Sequence, residues 1–174
     1  EGDIIDRLSE LNIVPLSISY EFDPCDFLKA REFQLKRDNP DYKKTQADDL
    51  QNMQTGIFGY KGRVHFQTAP CINEALKSFD RSLPKPELFT RVSALLDAGI
   101  HANYRLYPNN YVAHDLLTVT HEFASHYTEA DEKRFAAYIE QQLARIDLPG
   151  KDEDFLRTKL LQMYANPLTN YLKV

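Results

Sequence analysis

The segment His126-Tyr127-Thr128-Glu129-Ala130-Asp131 sets a histidine and an aspartate with four residues between them. A histidine oriented by a carboxylate is the pair that general-base chemistry uses to take a proton from a hydroxyl. The same residues also spell a helix start. Thr128, with Asp131 three positions on and Phe135, Ile139, Leu143 and Ile146 beyond, can satisfy the first free N–H groups of an amphipathic helix. The helix-start reading is preferred, and Asp131 is expected to be structural. His121 and His126 are five positions apart, whereas two metal ligands on one helical face need four, so zinc is not expected there. His114 and Asp115, being adjacent, project from different sides of any helix and read as surface residues. Cys25 falls in the first turn of a helix, where the dipole can lower a thiol pKa, but no base can be placed beside it. Lys29, Arg31, Lys36 and Arg37 give one helix a basic side, suited to an acidic acceptor, to anionic headgroups or simply to water. Tyr104, Tyr107 and Tyr111 with Arg105 form an aromatic cluster of the kind found at seams and interfaces; no ligand is assigned to it.

These side chains need a framework. A chain of 174 residues can bury a core, and 43% apolar with 27% charged residues is ordinary for a globular protein. The formal charge of -5 argues against a nucleic-acid partner. No run of about 18 apolar residues occurs, and no signal peptide opens the chain. Cys25 and Cys71 lack metal-ligand spacing and read as two reduced thiols of a cytoplasmic protein.

Ile4, Ile5, Leu8 and Leu11 share a helical face, with Asp3 as cap and Asn12 closing the helix. Ile13 to Tyr20 is a strand with Pro15 near its first turn, apolar enough to be buried on both faces. Asp23 as N-cap with Pro24 at the first position predicts a helix to about Arg37. Thr45 and Asp48 cap a second helix, with Ala47, Leu50, Met53, Gln54 and Ile57 on its facing side and Gly56 and Gly59 at its end. Val64 and Phe66 alternate with Arg63, His65 and Gln67 as a half-exposed strand. A short helix from Ile72 to Phe79 and a break at Leu83-Pro84-Lys85-Pro86 follow. Beyond it the chain is helical: one helix through Leu88, Val92, Leu95 and Leu96, a short one over Tyr111 to Leu117, the helix capped at Thr128, and a last one from Asp152 to Tyr164, stopped by Asn166-Pro167. Two strands make a marginal sheet, so neighbours are expected from covering helices, an upstream segment or a second copy.

Ile13-Val14-Pro15-Leu16 resembles the valine-proline strand of the glycerolipid acyltransferases. Gly62-Arg63-Val64-His65-Phe66-Gln67 with Pro70 and Ile72 resembles that family's late strand, which ends in a proline-isoleucine pair. The wording Tyr20-Glu21-Phe22-Asp23-Pro24-Cys25-Asp26-Phe27-Leu28-Lys29 and Asn166-Pro167-Leu168-Thr169-Asn170-Tyr171 is similar to a bacterial branch of glycerol acyltransferases. The resemblance covers about Ile4 to Asn73. It implies an α/β fold: a partial acyltransferase-type sheet of two strands with flanking helices over residues 1–82, then a helical C-terminal extension over 83–174. It also implies acyl transfer from an acyl thioester of coenzyme A or acyl carrier protein to glycerol phosphate or a lysophospholipid, without a cofactor.

In that family a His-x4-Asp block and a later Glu-Gly block precede the valine-proline strand. Only Glu1-Gly2 offers a match here, and it lacks the expected arginine. The chain is therefore expected to be the C-terminal part of the enzyme and inactive alone, with no catalytic residue of its own. The resemblance implies that Val14, Pro15, Ser17 and Ser19 wall the acceptor site and that Lys29 meets its phosphate. Peripheral contact with the inner membrane and homo-oligomers through unpaired strands are further expectations. The alternative is a non-catalytic helical interaction module that docks a protein partner or a membrane surface.

Overall fold

The computed structural model describes residues 3–173; Glu1-Gly2 lies outside them. The chain is mixed α/β. Its elements run α1 Ile4–Glu10, β1 Leu16–Tyr20, α2 Asp26–Asp38, α3 Gln46–Phe58, β2 Val64–Thr68, α4 Asn73–Leu76, α5 Lys85–His101, α6 Pro108–Thr118, α7 Glu129–Ala144 and α8 Glu153–Tyr171. The two strands form one antiparallel two-stranded sheet. Its ladder is extended by Ala69 N–H donating to Pro15 O at 2.9 Å and by Glu21 N–H donating to Arg63 O at 2.9 Å.

By contacts the chain divides into two units, each discontinuous in sequence. One holds 3–19, His65–Arg105 and 170–173; the other holds Tyr20–Val64 and Leu106–Thr169. Residue 82 falls inside the first unit. That unit has its own small core, Ile5, Ile72, Leu76, Leu88 and Val92. α1 is started by Asp3, whose carboxylate accepts from Ile5 N–H at 2.7 Å. Pro84 is the N-cap of α5 and Pro86 sits in its first turn, so the expected break is the helix start itself.

The second unit has the larger core, built from Phe22, Phe27 and Ala30 with Val112, Phe135, Ile139, Leu143, Leu156, Leu160 and Tyr164. α2 begins at Asp26 rather than at Pro24, because Asp23 spends its carboxylate on Cys25 N–H (2.9 Å) in a turn that precedes the helix. α6 opens at Pro108, so Pro108-Asn109-Asn110 forms its first turn instead of a separate one. α8 does not stop at Asn166: it runs through Pro167 to Tyr171. Ala165 and Leu168 on either side of that proline are 3% and 1% exposed, and their burial outweighs the lost backbone hydrogen bond.

Strand β1 departs most from expectation. It is not buried on both faces but alternates, and in an inverted sense. Ser17 and Ser19 are covered, while Val14, Leu16, Ile18 and Tyr20 are 42–47% exposed. On β2, Val64 and Phe66 also face outward. Among the described residues β1 has one partner strand and one covered face, and no second layer buries its apolar side.

Candidate functional site

Val14 is open on the outer side of β1, and Pro15 is buried on the other, against Gly99. Ser17 is 1% exposed and its Oγ has no hydrogen-bond partner. The Oγ of Ser19 accepts from Arg105 N–H at 2.9 Å. Lys29 is half exposed on α2, within the second unit, and pairs with Asp23 at 2.5 Å. Of the five residues the resemblance points to, Val14 is therefore exposed, Lys29 is half exposed but held by Asp23, and Pro15, Ser17 and Ser19 are covered. The rest of the basic side of α2 is largely neutralised: Lys36 pairs with Glu32, and Arg37 with Asp38 and Asp152.

The His-x4-Asp segment is a helix cap. Thr128 Oγ accepts from Asp131 N–H at 3.2 Å, and Asp131 Oδ2 accepts from Thr128 N–H at 3.0 Å. The His126 ring stacks on Tyr111 with centroids 4.4 Å apart. No group of three His, Cys, Asp or Glu side chains that could hold a metal exists among the described residues. Cys25 is buried and its Sγ donates to Asn52 O at 3.4 Å; burial first, then the charge of Asp23, pushes its thiol pKa up. A thiol so placed is the reverse of an activated nucleophile.

Three polar nodes, all in the second unit, were not legible from spacing. Glu21 is 4% exposed and accepts from Arg63 Nε (3.0 Å), Arg63 Nη2 (3.1 Å), Arg63 N–H (3.0 Å) and Arg134 Nη2 (3.2 Å). Burial pulls its pKa up, but the Arg63 hydrogen bonds and the charges of both arginines outweigh it and hold the carboxyl below its usual value. The Arg63 guanidinium lies over the Tyr107 ring, 4.9 Å from its centroid. Gly62 turns the chain into this clamp at φ 62°, and a Cβ there would come within 2.7 Å of Glu21 Oε2. Asp131 stands 3.5 Å from Arg134, so two guanidiniums meet two carboxylates and no net charge is left over.

Asp26 is fully buried. Its Oδ2 accepts from Tyr138 Oη (2.6 Å) and Tyr164 Oη (2.7 Å), and its Oδ1 from Phe27 N–H (2.6 Å). Burial raises its pKa more than these donors lower it, and both tyrosines are held protonated.

Asp115 corrects the surface expectation for His114-Asp115. It is 3% exposed and accepts from Tyr127 Oη at 2.9 Å and from Phe123 N–H at 3.1 Å; burial and this bond push the Tyr127 pKa up to about 12. Beside it opens a cleft of about 150 Å³ lined by Asp115, His121, Tyr127 and Glu132. A second cleft, of about 290 Å³, is walled by Leu116, Ala136, Ile139 and Leu161 with Glu140 and Arg157 at its rim. Both fall below the usual volume of a drug-sized ligand site, roughly 300–1,000 Å³. The partners of Glu21 lie 42 and 113 positions away and the tyrosines of Asp26 112 and 138, beyond any local spacing, whereas Tyr127 is only 12 positions from Asp115.

No helix among the described residues is long and apolar enough to cross a membrane. Compared with known proteins, the chain matches no family model, no curated protein and no solved structure.

Proposed function

We propose that this chain is the C-terminal, non-catalytic part of a glycerolipid acyltransferase-type enzyme, whose sheet is completed by a catalytic segment. The inverted burial of β1 carries the reading: Val14, Leu16 and Ile18 face outward while Ser17 and Ser19 are covered. A strand that turns its apolar side out is suited to serve as one wall of a larger site. The resemblance of Ile13-Val14-Pro15-Leu16 to the family's strand supports the same role.

In the whole enzyme, the acceptor hydroxyl oxygen of a glycerol phosphate or lysophospholipid attacks the thioester carbonyl. An ester C–O bond forms, the C–S bond breaks, and the hydroxyl proton passes to a base and then to the departing thiolate. Val14 would line the acceptor side of that reaction, through the exposure given above. Membrane contact would then be peripheral.

The purified 174-residue chain should show no transfer of labelled acyl groups from acyl-CoA to glycerol 3-phosphate. Joined to the coding segment that precedes Glu1, it should become active, and Val14→Lys should then abolish transfer. Activity of the chain alone, or a preceding segment without an Asn-His-x4-Asp motif, would overturn the proposal.

A second reading, a helical module that docks a partner, is favoured by one observation: α3 buries none of its residues.

A further inference from the structure

Helices α6 and α7 pack together within the second unit, and both clefts described above are walled by this pair. Leu116 of α6 lines both. On α7, Glu132 lines the smaller cleft, and Ala136 and Glu140, four and eight residues on, line the larger one. A spacing of four keeps residues on one face of a helix, so a single face of α7 runs from the first cleft to the second. Joined at Leu116, the two make a groove whose volume reaches the range of small-ligand sites, which neither reaches alone.

The ends of this groove differ in chemistry. At the α8 end the walls are Leu116, Ala136, Ile139 and Leu161, and the charged pair at the rim, Glu140 with Arg157, neutralises itself. At the other end Asp115 and Glu132 form no ion pair with a lysine or arginine among the described residues. Asp115 is already occupied, accepting from Phe123 N–H at 3.1 Å, Tyr127 Oη at 2.9 Å and Thr120 Oγ1 at 3.3 Å. No donor among the described residues reaches the Glu132 carboxylate, so Glu132 is left to meet a cation while Asp115 adds its charge. Both charges bear on Tyr127: after burial and the bond to Asp115, they help to hold its proton on. The chain leaves α6 through Val119, which lines the same end, is 91% exposed and takes a left-handed backbone (φ 54°) that β-branched residues rarely adopt.

Charge then selects the occupant. An anion would face two carboxylates without a compensating base, and like charges set together are costly. A bare metal ion would find no group of three suitable side chains among the described residues and would leave the apolar end unfilled. An aliphatic chain that ends in a protonated amine satisfies both ends, burying carbon at one and donating charge-assisted hydrogen bonds at the other.

We propose that the groove between α6 and α7 binds a small aliphatic amine, its ammonium group held by Glu132 and its chain lying past Leu116 and Ala136 toward Leu161. The site does not depend on the acyl-transfer reading.

The test is titration of the full, isotope-labelled chain with n-octylamine, n-octanol and octanoate at pH 7, where an alkylamine is protonated, followed by amide chemical shifts. Octylamine should bind with a Kd of about 0.1–1 mM and shift amides within residues 112–121 and 132–140. Octanoate, with a chain of like length and the opposite charge, should bind at least about 10-fold more weakly. Glu132→Gln, at a half-buried position, should weaken octylamine by about 5–10-fold and leave octanol unchanged. Ala136→Phe, at an exposed position, fills the apolar end and should weaken octylamine and octanol alike by more than about 10-fold. The wild-type titrations decide the matter without any variant. The proposal is overturned if octylamine does not bind up to about 10 mM, if octanoate or octanol binds as tightly as octylamine, or if the shifts fall only outside those two segments. Unchanged octylamine affinity in Glu132→Gln would overturn it as well.

Discussion

Helices α3 and α7 start from the same local grammar and end in opposite environments. Each opens with a threonine and, three residues on, an aspartate that cap one another reciprocally: Thr45 with Asp48, and Thr128 with Asp131. Each carries apolar residues at helical spacing. Yet α7 buries Phe135, Ile139 and Leu143 at 1%, 2% and 3% exposure, whereas Leu50, Met53 and Ile57 of α3 stay more than half exposed. A capping box and an apolar stripe therefore specify that a helix forms and where it begins. They do not specify whether that stripe faces the core of its own unit.

The sharpest way to break this contrast is a pair of truncations followed by urea denaturation, at protein concentrations too low for self-association. Leu160 is fully buried in the core against which α7 packs, so Leu160→Ala should cost about 3 kcal/mol through lost transfer energy and a cavity. Ile57→Ala should change stability by less than about 0.5 kcal/mol. Equal losses would mean that α3 is as much core as α7.

The next largest effect is expected at Glu21. Glu21→Ala leaves the Arg63 N–H and two guanidiniums without their acceptor, at a cost of about 2 kcal/mol. Water reaches Arg63 and Arg134, whose side chains are 60% and 57% exposed, so the loss stays below that of a fully buried pair.

The pH dependence should split in sign between two buried carboxyls. The pKa of Asp26 is raised in the folded state above 3.8, so its contribution is fully present below that value and is lost as pH rises through the folded pKa. Asp26→Asn should therefore flatten a fall in stability on the alkaline side of 3.8. Glu21, held below 4.5, does the reverse: its contribution is present above that value and disappears on acidification through the lowered pKa. Urea midpoints across the acid range for the wild type and each variant would check both directions.

The smallest effect sharpens the comparison itself. Thr128→Ala should lower global stability by about 1 kcal/mol, because α7 unfolds with its core. Thr45→Ala removes the same hydrogen bonds from α3, and its loss should show mainly as faster amide hydrogen exchange confined to residues 46–58. A global loss from Thr45→Ala would show that α3 unfolds with the core.

Much of the element order was legible, for local reasons. Asp3, Thr45 and Thr128 cap where their side chains lie two or three residues from the N–H groups they serve. The departures came from longer range. α8 passes Pro167 because Leu168 is buried, and Asp115 is a hub because Tyr127 and Phe123 N–H converge on it. The candidate site was legible only in part. The chemistry-bearing His126 and Asp131 could be recognised as a helix start, but Ser17 and Ser19 could not be told from open residues, since a period of two says which residues share a face and not which face is covered.

What the sequence alone determined, then, is the set of helices and strands, their caps and the two-residue alternation of β1, because those rest on hydrogen bonds and spacing within a few residues. Tertiary structure decided what each face meets: serines turned inward on β1, Glu21 clamped by arginines 42 and 113 positions away, and an α3 whose apolar stripe is left open. Burial is a property of surfaces brought together by the whole chain, and no local pattern carries it.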